Sequence, residues 1–240
     1  MIILIDIGNT RSKYCIVNEI NSDAMQTIPN ALLNNDFLYK YFINASKIIV
    51  ASVSHNKLTD DIHTWCQIYK INYQRVMSEM NKSAVTNSYD QPSQLGVDRW
   101  LALIGAAKLF PNKNILVIDA GTATTIDLLA SNGQHQGGWI LAGIKTLVTS
   151  VLAETTHVHA NDKEKESLSF GFNTSDNVHN AAWAATIGAI NLAISQAQQQ
   201  GFLLDEVLFT GGNGALLSSL ISYQSKVINT LVLRGMQEYI

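Results

Sequence analysis

Ile3-Leu4-Ile5-Asp6-Ile7-Gly8-Asn9-Thr10 returns as Leu116-Val117-Ile118-Asp119-Ala120-Gly121-Thr122-Ala123-Thr124. In both copies an apolar run ends in Asp, passes one residue, and reaches Gly and a hydroxyl-rich turn. A second apolar run follows each, Tyr14-Cys15-Ile16-Val17 and Ile126-Asp127-Leu128-Leu129. Each copy therefore predicts strand, tight turn, strand: a β-hairpin. Such a turn aims backbone N–H groups at a common centre suited to phosphate. The Asp at the strand end can hold a metal ion beside it. Two hairpins of this kind point to a nucleotide held between related halves, 1–114 and 115–240.

Composition narrows the function classes. Apolar residues are 47% of the 240, enough for a sizeable core, but charged residues are only 15%, well below the usual quarter. Part of the surface is then expected to be covered, most simply by a second copy of the chain. A net charge of −3 leaves no basic stripe for nucleic acid. Cys15 and Cys66 sit in no motif and fit a reducing compartment. The N-terminal apolar run meets Asp6 at once, which suits neither a signal peptide nor a membrane span, so a cytoplasmic protein is expected.

Along the chain, Lys47 to Val53 reads as a buried strand and Asp61 to Tyr69 as a helix. Gln91 to Gly96 is a loop, and Val97 to Phe110 has helical periodicity that Pro111 ends. After the second hairpin comes the glycine-rich Gly137 to Gly143, then an Ala-rich helix from Asn177 to Gln200 with Gly201 as its C-cap. Glu206 to Phe209 predicts a strand that runs into Thr210-Gly211-Gly212-Asn213-Gly214, and Val227 to Leu233 the last strand. Alternating strands and helices give an α/β class. Asp162 to Glu166 is of mixed sign and reads as a solvated loop.

Three segments carry candidate chemistry. Asp6 to Thr10 with Lys13 is a phosphate loop or an ordinary hairpin turn, and only its repetition favours the ligand. Thr210 to Gly214 is an adenosine contact or a plain strand–helix turn; paired glycines admit a flat ligand and the next helix start is electropositive. No Walker A or dinucleotide pattern occurs. Leu95-Gly96-Val97-Asp98-Arg99-Trp100 opens a helix; Asp98 suits its first turn, whereas Arg99 opposes the dipole. Arg99 could clamp an anion while Asp98 orients a hydroxyl, so a small hydroxy acid fits, as does a simple helix start. His157-Val158-His159 has no third ligand at a standard spacing, and His55, His63, His135 and His179 are isolated.

Taken in order, these motifs resemble the type III pantothenate kinases of the sugar kinase, Hsp70 and actin superfamily, nearly end to end. The resemblance implies two ribonuclease H-like halves with the nucleotide cleft between them. It implies ATP-dependent phosphorylation of pantothenate, the first step of coenzyme A biosynthesis. Asp6, Ile7, Gly8, Asn9, Thr10, Arg11, Ser12 and Lys13 resemble the first phosphate loop, with Asp6 near magnesium. Asp119 to Thr125 is similar to the second, where Asp119 would hold potassium or ammonium and Gly121 and Thr122 would meet ATP. Gly211 and Gly212 resemble the adenosine motif.

By the same resemblance Asp98 would be the catalytic base and Arg99 would bind the pantothenate carboxylate. Tyr89, Gly96, Val97 and Thr174 would help enclose that substrate. Leu231 to Gly235 resembles the closing strand, and family members are homodimers. The chain carries Ala142 where the family usually has Pro, and Asn177 and Ala181 where it has small residues or Gly. Other readings are a kinase for a different hydroxy acid, a non-catalytic accessory regulator, and an actin-like or Hsp70-like switch. Asp6, Asp98, Arg99 and Asp119 together oppose the regulator, and the short chain opposes the switch.

Overall fold

A computed structural model describes residues 1–20, 24–53, 57–154 and 166–240. His55, His157-Val158-His159 and the run from Asp162 to Lys165 lie outside the described residues. The chain forms two units, and the division is not a single cut. The first comprises Met1–Asn112, Ser131–His135 and Thr230–Ile240; the second comprises Lys113–Ala130 and Gln136–Asn229.

The first unit contains β1 (Ile2–Ile7), β2 (Arg11–Ile16), β3 (Gln26–Pro29), α1 (Asn35–Phe42), β4 (Lys47–Ser52), α2 (Lys57–Ile68) and β5 (Asn72–Arg75). Its five-stranded sheet has the order β3-β2-β1-β4-β5, with β1 antiparallel to β2 and parallel to β4. Central strands covered on both faces read as unbroken aliphatic runs. Accordingly Ile3, Leu4, Ile5, Ile48, Ile49 and Val50 are all buried. Fully burying one such side chain stabilises the fold by about 1.5–3 kcal/mol. Asn34 caps α1, its side-chain oxygen accepting from Phe37 N at 3.0 Å, and Leu38 and Phe42 bury one face. The short pair β6 (Asn81–Lys82) and β7 (Val85–Thr86) leads into α3 (Val97–Leu109).

The second unit contains β8 (Ile115–Ala120), β9 (Ala123–Leu129), β10 (His135–Ala142, whose first residue belongs to the first unit), α4 (Ile144–Glu154), α5 (Thr174–Gln199), β11 (Glu206–Thr210), α6 (Gly214–Leu220) and β12 (Lys226–Val227). Its sheet runs β10-β9-β8-β11-β12, strand for strand the order of the first. Again the opening hairpin is antiparallel and the later strand, β11, joins in parallel. The duplicated turn thus belongs to a duplicated sheet. Asn173 caps α5, accepting from Asp176 N at 2.9 Å, and Ile187, Ile190, Ile194 and Ala197 form its buried stripe.

One expectation fails. Val227 to Leu233 is not a strand: β12 stops at Val227 and α7 (Leu231–Met236) follows. A short apolar run cannot be told from a short buried helix by periodicity. Here glycines decide. A Cβ on Gly235 would collide with the Leu101 carbonyl, and one on Gly105 with the Leu231 carbonyl, so α3 and α7 pack backbone to backbone. That contact carries Thr230–Ile240 into the first unit. Tyr239 closes it, accepting from Trp100 Nε1 at 3.0 Å, and burial pushes its phenol well up.

Candidate active site

In the first unit, Asp6 is the penultimate residue of β1, opposite Lys13 of β2, and Gly8 N donates to Arg11 O at 3.1 Å to close the turn. Asn9, Thr10 and Arg11 are exposed at its tip, whereas Ile7 and Ser12 are buried. Those two side chains therefore shape the loop, and only their backbone is available to a ligand. Asn30 braces it: its Nδ2 donates to Gly8 O at 2.8 Å and its Oδ1 accepts from Ser12 Oγ at 2.8 Å. Nothing in the sequence near Asn30 marks it as part of the loop.

The Gly96-to-Arg99 segment sits at the start of α3. Asp98 Oδ1 accepts from Arg99 N at 2.8 Å. A Cβ on Gly96 would lie 2.7 Å from that same oxygen, so the carboxylate needs glycine there. Val97 is buried in the core. Arg99 is 4% exposed, unusual for an arginine, and its Nη1 donates to Tyr89 Oη at 2.9 Å. Its guanidinium carbon lies 5.8 Å from the Tyr89 ring centre, within cation–π range. Asn87 fixes the loop, accepting from Tyr89 N at 3.0 Å and donating to Glu79 O and Pro92 O, each at 3.2 Å. Tyr89, Gly96, Asp98 and Arg99 are thus brought together.

In the second unit, Asp119 is the penultimate residue of β8, with Thr125 of β9 and Thr210 of β11 in register beside it. Gly121 N donates to Ala123 O at 2.9 Å, the counterpart of the Gly8 turn. Gly121, Thr122 and Gly212 are exposed. Thr122 O accepts from Gly143 N at 3.0 Å and from Thr146 Oγ1 at 3.1 Å, which seats the loop on the start of α4. Gly211 adopts φ +84°, and a Cβ there would strike Asp119 Oδ1. Thr174, the first residue of α5, is exposed and also belongs to this unit.

The residues fit the ions that such loops take. Thr210 Oγ1 is buried without a hydrogen-bond partner and shares a register position with Asp119. An oxygen-only donor set of this kind suits a hard monovalent cation. Among the described residues no group of three or more His, Cys, Asp or Glu could hold a metal.

The sequence profile of the type III pantothenate kinases matches residues 2–196. The chain belongs to that family. A type III pantothenate kinase from Colwellia psychrerythraea is 49% identical, with both chains covered in full. One from Pseudoalteromonas translucida is 32% identical over 98% of this chain and 94% of its own. Among solved structures, one described as a Baf family transcriptional activator from Campylobacter jejuni is 24% identical. It has a TM-score of 0.63, covering 98% of this chain and 96% of its own. One described as a 2-dehydro-3-deoxygalactonokinase from Sinorhizobium meliloti is 13% identical with a TM-score of 0.61, covering 99% and 97%. These likenesses bear on the fold, and the kinase-like α/β architecture of two sheets agrees with the duplicated topology. As a pantothenate kinase family member, the chain is a phosphotransferase.

Proposed function

We propose that this chain transfers the γ-phosphoryl group of ATP to the primary hydroxyl of pantothenate, making 4′-phosphopantothenate for coenzyme A biosynthesis. The observation that carries the reading is the Asp98–Arg99 pair, a half-buried carboxylate beside a buried guanidinium that Tyr89 holds. Pantothenate offers the matching groups, a carboxylate and a hydroxyl. Arg99 takes the carboxylate, and Tyr89 and Gly96 help enclose the molecule. Asp98 accepts a hydrogen bond from the hydroxyl and orients its oxygen at the γ-phosphorus.

Phosphoryl transfer passes through a loose transition state, so positioning and charge stabilisation outweigh base strength. The hydroxyl oxygen bonds to the γ-phosphorus as the bond to the β-phosphate oxygen breaks. The hydroxyl proton moves late to Asp98. In the first unit the Asp6–Lys13 loop takes phosphates, Asp6 lying towards magnesium. In the second, Thr122 with Gly121 and the Gly211-Gly212 turn take ATP, and Asp119 with Thr210 holds potassium or ammonium. When bound, these cations neutralise charge that builds on the phosphate oxygens. The active form is a homodimer in the cytoplasm. Exposed Leu168, Phe170 and Phe172 support the dimer, since apolar side chains so bare are ordinarily covered. Among the described residues no helix is long and apolar enough to cross a membrane.

The test offers the purified protein magnesium–ATP, potassium and a panel of small hydroxy acids, with products read by mass spectrometry. Phosphopantothenate should dominate, and sodium in place of potassium should suppress it. Preference for another acid would refute the substrate, and indifference to the cation would refute the role of Asp119.

A further inference from the structure

Tyr89, which holds Arg99, is itself held by a histidine from a distant part of the chain. Ser131–His135 connects β9 to β10, yet it belongs to the first unit. It is fastened there by Thr86 N, which donates to Gly133 O at 2.9 Å, and by a bridge between Thr86 and Gln134. An Asn132 side chain that accepts from Gln134 N at 3.0 Å shapes the turn. The fastening delivers His135, 1% exposed, to the substrate loop. Its ring lies nearly parallel to that of Tyr89, 14° between planes and 6.2 Å between centres. Its Nδ1 is 3.0 Å from Ser88 Oγ, within hydrogen-bond distance.

We infer that His135 is a positioning residue for the substrate carboxylate site: it fixes the Tyr89 ring, which in turn fixes the Arg99 guanidinium. The restraints are complementary. Asn87 sets the Tyr89 backbone, the His135 face sets the plane of the ring, and Ser88 stops the imidazole from sliding. The Tyr89 hydroxyl is then where Arg99 Nη1 finds it. An arginine ordered before the substrate arrives loses less side-chain freedom on binding. Removing a restraint on it should weaken pantothenate binding and leave the phosphoryl-transfer step alone. The inference rests on Arg99 as the carboxylate clamp. If Arg99→Ala leaves the pantothenate KM unchanged, that reading fails whatever His135 does.

Steady-state kinetics on the intact chain test the inference. His135→Phe keeps a flat ring but loses the Ser88 contact; Ser88→Ala, at an exposed position, removes the same contact with little risk to folding. Each should raise the pantothenate KM by about two- to tenfold, the size of one lost hydrogen bond or ring contact. The ATP KM and kcat should hold. In a Tyr89→Ala background the effect of His135→Phe should vanish, because residues that act through one another are not additive. An unchanged pantothenate KM in both single variants would overturn the inference. So would a parallel fall in kcat, or an undiminished His135 effect without Tyr89.

Discussion

Asp98 and Arg99 are neighbours in the chain but differ in setting: Arg99 is buried and Asp98 half-buried at the start of α3. Burying a guanidinium is costly unless it is hydrogen-bonded, and Tyr89 supplies one such bond. Its clamp role predicts that Arg99→Ala raises the pantothenate KM by about 10-fold or more, the value of a charge-assisted contact; an unchanged KM would remove it. Of this pair only Arg99 stands out in the sequence, because a cation in a helix's first turn opposes the dipole whereas Asp98 suits it. Asn30 and His135 were not legible, since each acts on a loop far away in sequence and nothing local distinguishes it. A second titratable group has a stability role. Glu238 accepts from Lys108 Nζ at 2.6 Å and from Ser83 Oγ at 2.7 Å, and these bonds hold the Glu238 carboxyl below the usual range. A depressed folded pKa stabilises above the unfolded value of about 4.3 and is lost as pH falls through the folded one. Glu238→Gln should therefore lower stability near neutral pH by a margin that disappears in acid. A margin that stays constant from neutral pH down to about pH 2, below both values, would contradict it.

At the scale of elements, both hairpins were readable because an Asp–x–Gly turn between apolar runs has few alternatives. α5 was readable from its Ala-rich period, although Asn173 sets its start earlier than Asn177. α7 was misread as a strand, because three consecutive apolar residues carry no period of their own and the deciding contact is with α3. Close backbone approach through Gly105 and Gly235 makes that crossing intolerant of any side chain. Gly105→Ala should destabilise the protein by about 2 kcal/mol or more, the scale of overpacking in a closed core. At this chain length that lowers Tm by about 4–8 °C. An unchanged Tm would show that the helices can separate without cost.

At the scale of the whole molecule, the two sheets share one strand order, so the repeated Asp–x–Gly turn marks a duplicated architecture. The partition was not fully visible in the sequence, because the last segment and Ser131–His135 join the first unit through tertiary contacts. The low charge content and exposed Phe170 and Phe172 predict a dimer. Sedimentation at micromolar concentration should find particles near twice 26.3 kDa; only single-chain particles would contradict that. The most direct test of the central claim compares phosphopantothenate formation by the intact protein and by Asp98→Asn under saturating magnesium–ATP and potassium. The intact protein should make product, and the variant should turn over about 10²-fold more slowly or worse while still binding pantothenate. Turnover by the variant near that of the intact protein, or no product from either, would contradict it.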